Sequence, residues 1–294
     1  MNAKVSIMEA SINISSGFIE SQPKFLVGIM HVTKDPWLSI TIDGQLPAWK
    51  QTSYRNFSVL YFFGVSNSIT TRVNAIIENL RWVRGRYASY GISYFLMFIL
   101  RPWSKSIPKH ELVDENQSKI RAASLKVTIP ELTATMRWKK LSFLNYFLEQ
   151  SDAEYVIITT SSSLLNFEPI VEFLRNPKNV DQPIYAGRVL KGYDCEFTSG
   201  SFTVMNRESA KLILENRALI PVHVMDDIGF GTAFMKMGIS PSNLESMDFE
   251  SVSDLGHFSK KTLETIAHFR FKSGPLHSRG DVAIMKELIT KLRG

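Results

Sequence analysis

EYVIITTSSSLLNFEPIVEFLRN (154–176) decides the fold class. Its first part, EYVIITT (154–160), is after Glu154 an unbroken run of β-branched and aromatic residues. That composition predicts a strand buried on both faces. Asp152 precedes it and Ser161-Ser162-Ser163 follow it, so the run has polar punctuation at both ends. FEPIVEFLRN (167–176) then reads as a helix with Pro169 in its first turn, where a missing N–H costs nothing. A buried strand that gives way directly to a helix is the unit of a sheet covered by helices.

The same unit recurs on both sides. Upstream, KFLVGIM (24–30) and NFSVLYFFGV (56–65) read as strands, with the loop HVTKDPW (31–37) after the first. TTRVNAIIENLRWVRGR (70–86) spaces Val73, Ile76, Ile77, Leu80 and Val83 as a helix does, and residues 104–121 read as a surface loop. SLKVTIPE (124–131) predicts a short strand and TATMRWKKLSFLNYFLEQ (133–150) an amphipathic helix. Downstream, PIYAGRVL (183–190) and FTSGSFTVM (197–205) read as strands. RESAKLILEN (207–216) and the stretch after Asp226-Asp227 read as helices. ETIAHFRFKS (264–273) is strand-like, and a last helix closes the chain from about 281 to 292. The expected class is α/β, a GT-A-like or Rossmann-like mixed central sheet flanked by helices. It is expected to form one domain over 24–294 after a loose leader at 1–23.

Bulk properties bound the function. The 294 residues are 44% hydrophobic and 21% charged, an ordinary globular balance that excludes large-scale disorder. The net charge of +6 points to an acidic partner such as a nucleotide diphosphate or an anionic lipid surface, or else to simple solubility. One cysteine, Cys195, excludes an intramolecular disulfide and a Cys-rich zinc site. With no signal-peptide h-region and no run of apolar residues long enough to span a bilayer, a cytoplasmic protein is expected. YASYGISYFLMFILRPW (87–103) follows Arg81, Arg84 and Arg86 and allows two readings. It is either a buried helix or an interfacial segment on the inner face of an anionic membrane.

Two constellations carry candidate chemistry. In VMDDIGFG (224–231), Asp226 and Asp227 open a helix, so amides at the helix start can anchor the pair while one carboxylate projects into a cleft. A plain helix cap is the competing reading. In FTSGSFTVM, Gly200 interrupts an alternating strand, which marks either close approach of backbone or ligand, or a simple bulge.

The order of these pieces resembles the Fringe and β-1,3-galactosyltransferase group. Ser199-Gly200 stands in its small-residue strand. VMNRESA (204–210) leads into its helix, and Asp226-Asp227-Ile228 with Gly231 matches its acidic-Asp-Val-x-x-Gly motif. KFLVGIMHVTKDPW (24–37) with Gln45 to Trp49 resembles its start. The resemblance covers about 24–66 and 125–290, in short motifs. It implies a glycosyltransferase moving a hexose, galactose or similar, from a nucleotide-sugar donor, UDP-linked, to a saccharide acceptor of surface polysaccharide or a lipid-linked oligosaccharide.

The resemblance also implies roles. Asp227 is the catalytic base and Asp226 its neighbour, with inversion at the anomeric carbon. His31, Thr33 and Lys34 belong to the base and ribose loop, and Thr159, Thr160, Ser161 and Ser162 to the donor loop. Ser199, Gly200 and Ser201 face the acceptor. The chain departs from the group where an Asp-x-Asp motif is expected, because 159–163 are all hydroxyl residues, closer to bacterial and viral relatives. Without a carboxylate there, a divalent metal lacks its usual hard ligands. His268, Arg270 and Lys272 alternate onto one face of a strand and supply cations for the leaving diphosphate instead.

Rival classes lack their signatures. Gly-x-Ser-x-Gly, a P-loop, His-Glu-x-x-His, an EF-hand loop and a full Gly-x-Gly-x-x-Gly are all absent. His223 with Asp226 and Asp227 is a weak metal set, and no nucleic-acid motif accompanies the basic residues. The alternative from another class is a non-catalytic basic module that binds a membrane or a nucleotide.

Overall fold

The computed structural model describes residues 22–67, 106–132, 135–179, 182–221, 223–273 and 279–293, with isolated positions between 69 and 95. Most of the helix expected at 70–86, nearly all of the 87–103 segment, and the leader before Gln22 lie outside these described residues.

The apolar runs become strands β1 (Phe25–Met30), β2 (Phe57–Val65), β4 (Ser124–Pro130), β5 (Tyr155–Thr160), β7 (Tyr185–Gly192) and β8 (Cys195–Asn206). With β3 (His110–Val113) and β9 (Ser242–Asn243) they form an eight-stranded sheet, in the order β3-β4-β2-β1-β5-β8-β7-β9. Strands β4, β2, β1 and β5 run parallel, while β3, at one edge, and β8 run antiparallel to their neighbours. The mixed sheet flanked by helices is the class read from the sequence. The chain steps from β1 to β2 on one side and later to β5 on the other. The carboxyl ends of β1 and β5 therefore flank a topological switch point, where open α/β sheets leave a crevice for ligands.

Both faces of the sheet are covered, as parallel strands require. On one face Leu141, Phe143, Leu144 and Phe147 of the Met136–Gln150 helix pack with Ile213 and Leu214 of the Arg207–Glu215 helix. Phe230 and Phe234 of the Asp226–Lys236 helix complete that layer. On the other face Phe167, Ile170, Val171 and Leu174 of the Phe167–Arg175 helix pack against Phe25, Val27, Ile157 and Val204. Asn166 caps that helix by accepting from the Glu168 N–H, and Asn206 caps the Arg207–Glu215 helix by accepting from the Ser209 N–H. Arg207 donates to the carbonyls of Leu148 (2.7 Å), Ser151 (3.0 Å) and Ala153 (3.1 Å), which neutralises the end of the Met136–Gln150 helix.

Four elements differ from the sequence expectation. The 104–121 stretch holds edge strand β3 rather than only loop, because pairing with β4 supplies hydrogen bonds that local composition does not signal. The residues after the β1 loop, through Gln51, are helical, with a π-turn at Ile40–Gln45. The strand expected over 264–273 narrows to β11 (His268–Phe271), preceded by a short helix at Lys260–Glu264. β11 joins β10 (Ser246–Phe249) and β6 (Ser163–Leu165) in a second sheet of three strands. Finally, the Met136–Gln150 helix is not amphipathic: its buried residues include Arg137, Lys139 and Lys140. Lys140 meets Asp226, and Arg137 is held through one nitrogen by the Val224 carbonyl. Lys139 pairs with Glu131, both deeply buried, and Glu131 also accepts the Gly64 N–H.

Candidate functional site

The β7/β8 pairing sets the geometry. Gly187 lies opposite Thr203 and Val189 opposite Thr198, so Arg188 alone faces the four residues Ser199 to Phe202. The surplus residues bulge out of the sheet beside the carboxyl end of β5, where Thr159 pairs with Phe202 and its hydroxyl donates to the Ser201 carbonyl (2.9 Å). Gly200 is at the crest. A Cβ there would stand 3.4 Å from Asp227 Oδ2 and 3.5 Å from Lys140 Nζ, ordinary contact distances, so this glycine marks the bulge and not a contact that only glycine allows.

Asp227 is bound into that bulge. Its Oδ2 accepts the Gly200 N–H (3.2 Å) and its Oδ1 accepts the Ile228 N–H (2.9 Å). Asp226, one residue earlier at the start of the same helix, forms an ion pair with Lys140 Nζ at 2.5 Å. Burial raises the Asp227 pKa, and repulsion from Asp226 raises it further. Lys140 and the two backbone N–H groups pull it back only in part. A carboxylate held up in this way is a stronger proton acceptor than one in water. Arg137, one helical turn before Lys140, donates to the Val224 carbonyl (2.7 Å), and burial lowers its pKa to about 10. The sequence reading missed Arg137 and Lys140. Their spacing of three puts both on one helix face, and that spacing was the available signal.

The hydroxyl residues satisfy one another. Ser199 and Ser201 share a 2.9 Å hydrogen bond, as do Thr160 and Ser163. Gln45, which follows the β1 loop, ties it to the 159–163 loop: its amide donates to the Thr160 carbonyl (2.9 Å) and the Ser163 carbonyl (2.8 Å). Arg279 bridges the same two loops, standing 4.6 Å over the Trp37 ring while donating to Ser162 Oγ (3.2 Å). In the β1 loop, Lys34 is exposed and Thr33 half-buried.

The two histidines expected at the donor, His31 and His268, sit in the core. His31 is 2% exposed and shares a hydrogen bond with Thr41 (3.1 Å); burial pushes its pKa down to about 4. His268 is fully buried, stacked on Phe202 at 4.7 Å and bonded to Ser246 (2.7 Å). Burial, reinforced by Arg270, lowers its pKa to about 3, so it carries no charge toward an anion at neutral pH. Arg270 is half-buried and pairs in register with Ser163 of β6. Lys272, just past β11, reaches the Asp248 carboxylate at 2.5 Å.

The larger cavities lie elsewhere. One of about 660 Å³ opens beside Gln22, Tyr54 and Arg175, ahead of the amino end of β1. The space touching Asp227, lined also by Lys140, Tyr185 and Phe230, is only about 10 Å³. Size is outweighed here by chemistry: Asp227, a carboxylate with a raised pKa, sits with Asp226 and the Lys140 cation beside the carboxyl edge. Among the described residues, no group of three or more His, Cys, Asp or Glu side chains could hold a metal ion. Among them too, no helix is long and apolar enough to cross a membrane.

No protein-family model matches the chain, and no curated protein matches its sequence. Among solved structures, it is similar to one described as the crystal structure of a glycosyltransferase involved in the glycosylation of the major capsid of PBCV-1. The TM-score is 0.40 at 8% identity, over 90% of this chain and 99% of that one.

Proposed function

We propose that this protein is a glycosyltransferase in which Asp227 is the catalytic base. The observation that carries the reading is the setting of Asp227: a mostly buried carboxylate with a raised pKa, tethered to the crest of a bulge at the carboxyl edge of the sheet. The motif resemblance supplies the reaction class, and that warrant is one of analogy. In this reading a nucleotide sugar, UDP-linked, lies across the 31–37 loop and the 159–163 loop. Asp227 takes the proton of an acceptor hydroxyl as that oxygen bonds to the anomeric carbon. The bond from that carbon to the diphosphate breaks with inversion, and the nucleoside diphosphate leaves with its electron pair. Arg270 and Lys272 stabilise the charge that develops. The acceptor is a saccharide of surface polysaccharide or a lipid-linked oligosaccharide, met in the cytoplasm or at the inner face of a membrane.

The test is turnover of UDP-, GDP-, CMP- and TDP-sugars by the full chain and by its Asp227→Asn variant. Loss of a general base lowers turnover by about 10²–10⁴-fold. Near-normal turnover in the variant removes Asp227 from the chemistry. Nucleotide binding without turnover in either protein supports the non-catalytic binding module instead.

A further inference from the structure

One cluster of charge stands between the two sheets and involves a residue that the sequence reading left without a role. Asp248 Oδ2 receives Arg188 Nη1 at 2.8 Å and Lys272 Nζ at 2.5 Å. Arg188 lies in β7, Asp248 in β10 and Lys272 just past β11, so no local pattern announces the cluster. Arg188 is the residue that faces the Ser199–Phe202 bulge. The backbone leading to Lys272 runs beside the donor loop, since the Phe271 N–H donates to the Ser162 carbonyl (2.9 Å).

Two cations on one carboxylate oxygen leave a net positive charge. Burial alone would raise the Asp248 pKa, but the hydrogen bonds from Arg188 and Lys272 more than offset it and hold it low. The side chains of Arg188 and Lys272 are 35% and 40% exposed, so both keep donors within reach of solvent. An Arg fork and a Lys ammonium spaced by a shared carboxylate suit an anion with several oxygens.

We propose that Arg188 and Lys272, held in place by Asp248, form one subsite for a pyrophosphate-type anion, and that the anion is the diphosphate of the donor. The subsite rests on the transferase reading for its biological ligand but not for its existence. It adds Arg188 to the residues that receive the leaving group and joins the donor loop to the acceptor bulge. Asp248 is a positioning residue, because it acts through the two cations.

Calorimetric titration of the full chain with inorganic pyrophosphate, and separately with UDP, tests this. Arg188→Gln and Lys272→Met should each weaken pyrophosphate binding about tenfold or more, the scale of one charge-assisted hydrogen bond. Lys191→Met, at an exposed ion pair with Glu196 across β7 and β8, should leave it unchanged. UDP should displace pyrophosphate from the wild-type protein. Failure of wild-type protein to bind pyrophosphate overturns the subsite, as does unaltered binding in both variants. Lys272 is the more exposed of the two cations, so its variant serves if Arg188→Gln fails to fold. Simultaneous binding of UDP and pyrophosphate overturns the donor assignment. Weakened pyrophosphate binding in a protein that turns over no nucleotide sugar leaves the subsite standing and removes the transferase reading.

Discussion

Replacing Gly231 by alanine separates a packing role from a catalytic one within the Asp-Asp-Ile-x-x-Gly motif. Gly231 lies in the Asp226–Lys236 helix where that helix crosses β8. A Cβ there would stand 2.3 Å from Phe197 Cβ, 2.8 Å from the Glu196 carbonyl oxygen and 3.0 Å from Phe197 Cα. Two of those atoms are backbone, so no rotamer change relieves the clash and the helix must lift by about 1 Å toward ordinary van der Waals distance. Overpacking of this kind costs about 1–3 kcal/mol, and more where backbone has to move. Alanine returns about 1 kcal/mol of helix propensity. With backbone among the clashing atoms the cost stands at or above the upper end of that range, so the net expectation is a loss of about 2 kcal/mol or more, or a fall in Tm of roughly 4–8 °C or more for a chain of this size.

Gly229 is the internal control. It has the same propensity gain, but its Cβ would meet only the Ile220 side-chain methyl at 3.0 Å, with the next atoms at 3.6 Å. Gly229→Ala should therefore stay within about 1 kcal/mol of wild type. Urea unfolding of the two variants side by side is the assay. Because Asp227 rides on the same helix, Gly231→Ala should also lose turnover: a 1 Å misplacement of a reacting group costs on the order of 100-fold. A Gly231→Ala protein as stable as Gly229→Ala would refute the close-approach argument.

Asp227→Asn should unfold at the same temperature as wild type or higher. A raised carboxylate pKa means that the ionised form is held at a cost in the folded state, a cost that grows as pH rises from the unfolded pKa to the folded one; a clear drop in Tm at pH 7 would contradict this. Lys140→Met leaves Asp226 and Asp227 without their shared cation, and breaking a buried pair costs about 3–5 kcal/mol. In that variant the acid limb of the pH–rate profile should move to higher pH, since Asp227 then holds its proton longer, and Lys140→Met/Asp226→Asn should restore much of both properties. His31 has a folded pKa near 4, well below the unfolded 6.5, so its contribution is intact above pH 6.5 and is lost as pH falls toward 4. The loss amounts to about 3 kcal/mol. His31→Gln should flatten the stability curve across that window, and an unchanged slope would count against a neutral buried imidazole.

Much of this molecule is local in origin and was legible in the chain. The runs at 25–30, 57–65 and 155–160 are mostly apolar, with Ser58, Thr159 and Thr160 the polar exceptions, because parallel strands are covered on both faces. Pro169 marks the first turn of its helix, and Gly200 and the Asp226-Asp227 pair stand out by type and position. These features depend on residues two to four positions apart, the distance over which strand and helix periods act.

Tertiary structure alone decided the rest. It set the strand order that places a switch point between β1 and β5, and the second sheet of β10, β11 and β6. It turned Lys140 from a residue on an amphipathic face into the buried partner of Asp226, and it drew His31 and His268 into the core. It also brought Arg188, Asp248 and Lys272 onto one another from three strands. Each of these rests on contacts between residues tens of positions apart, where a buried charge survives only if the fold delivers its partner. No spacing within a single segment records that delivery, because the pairing is fixed only when the sheets close.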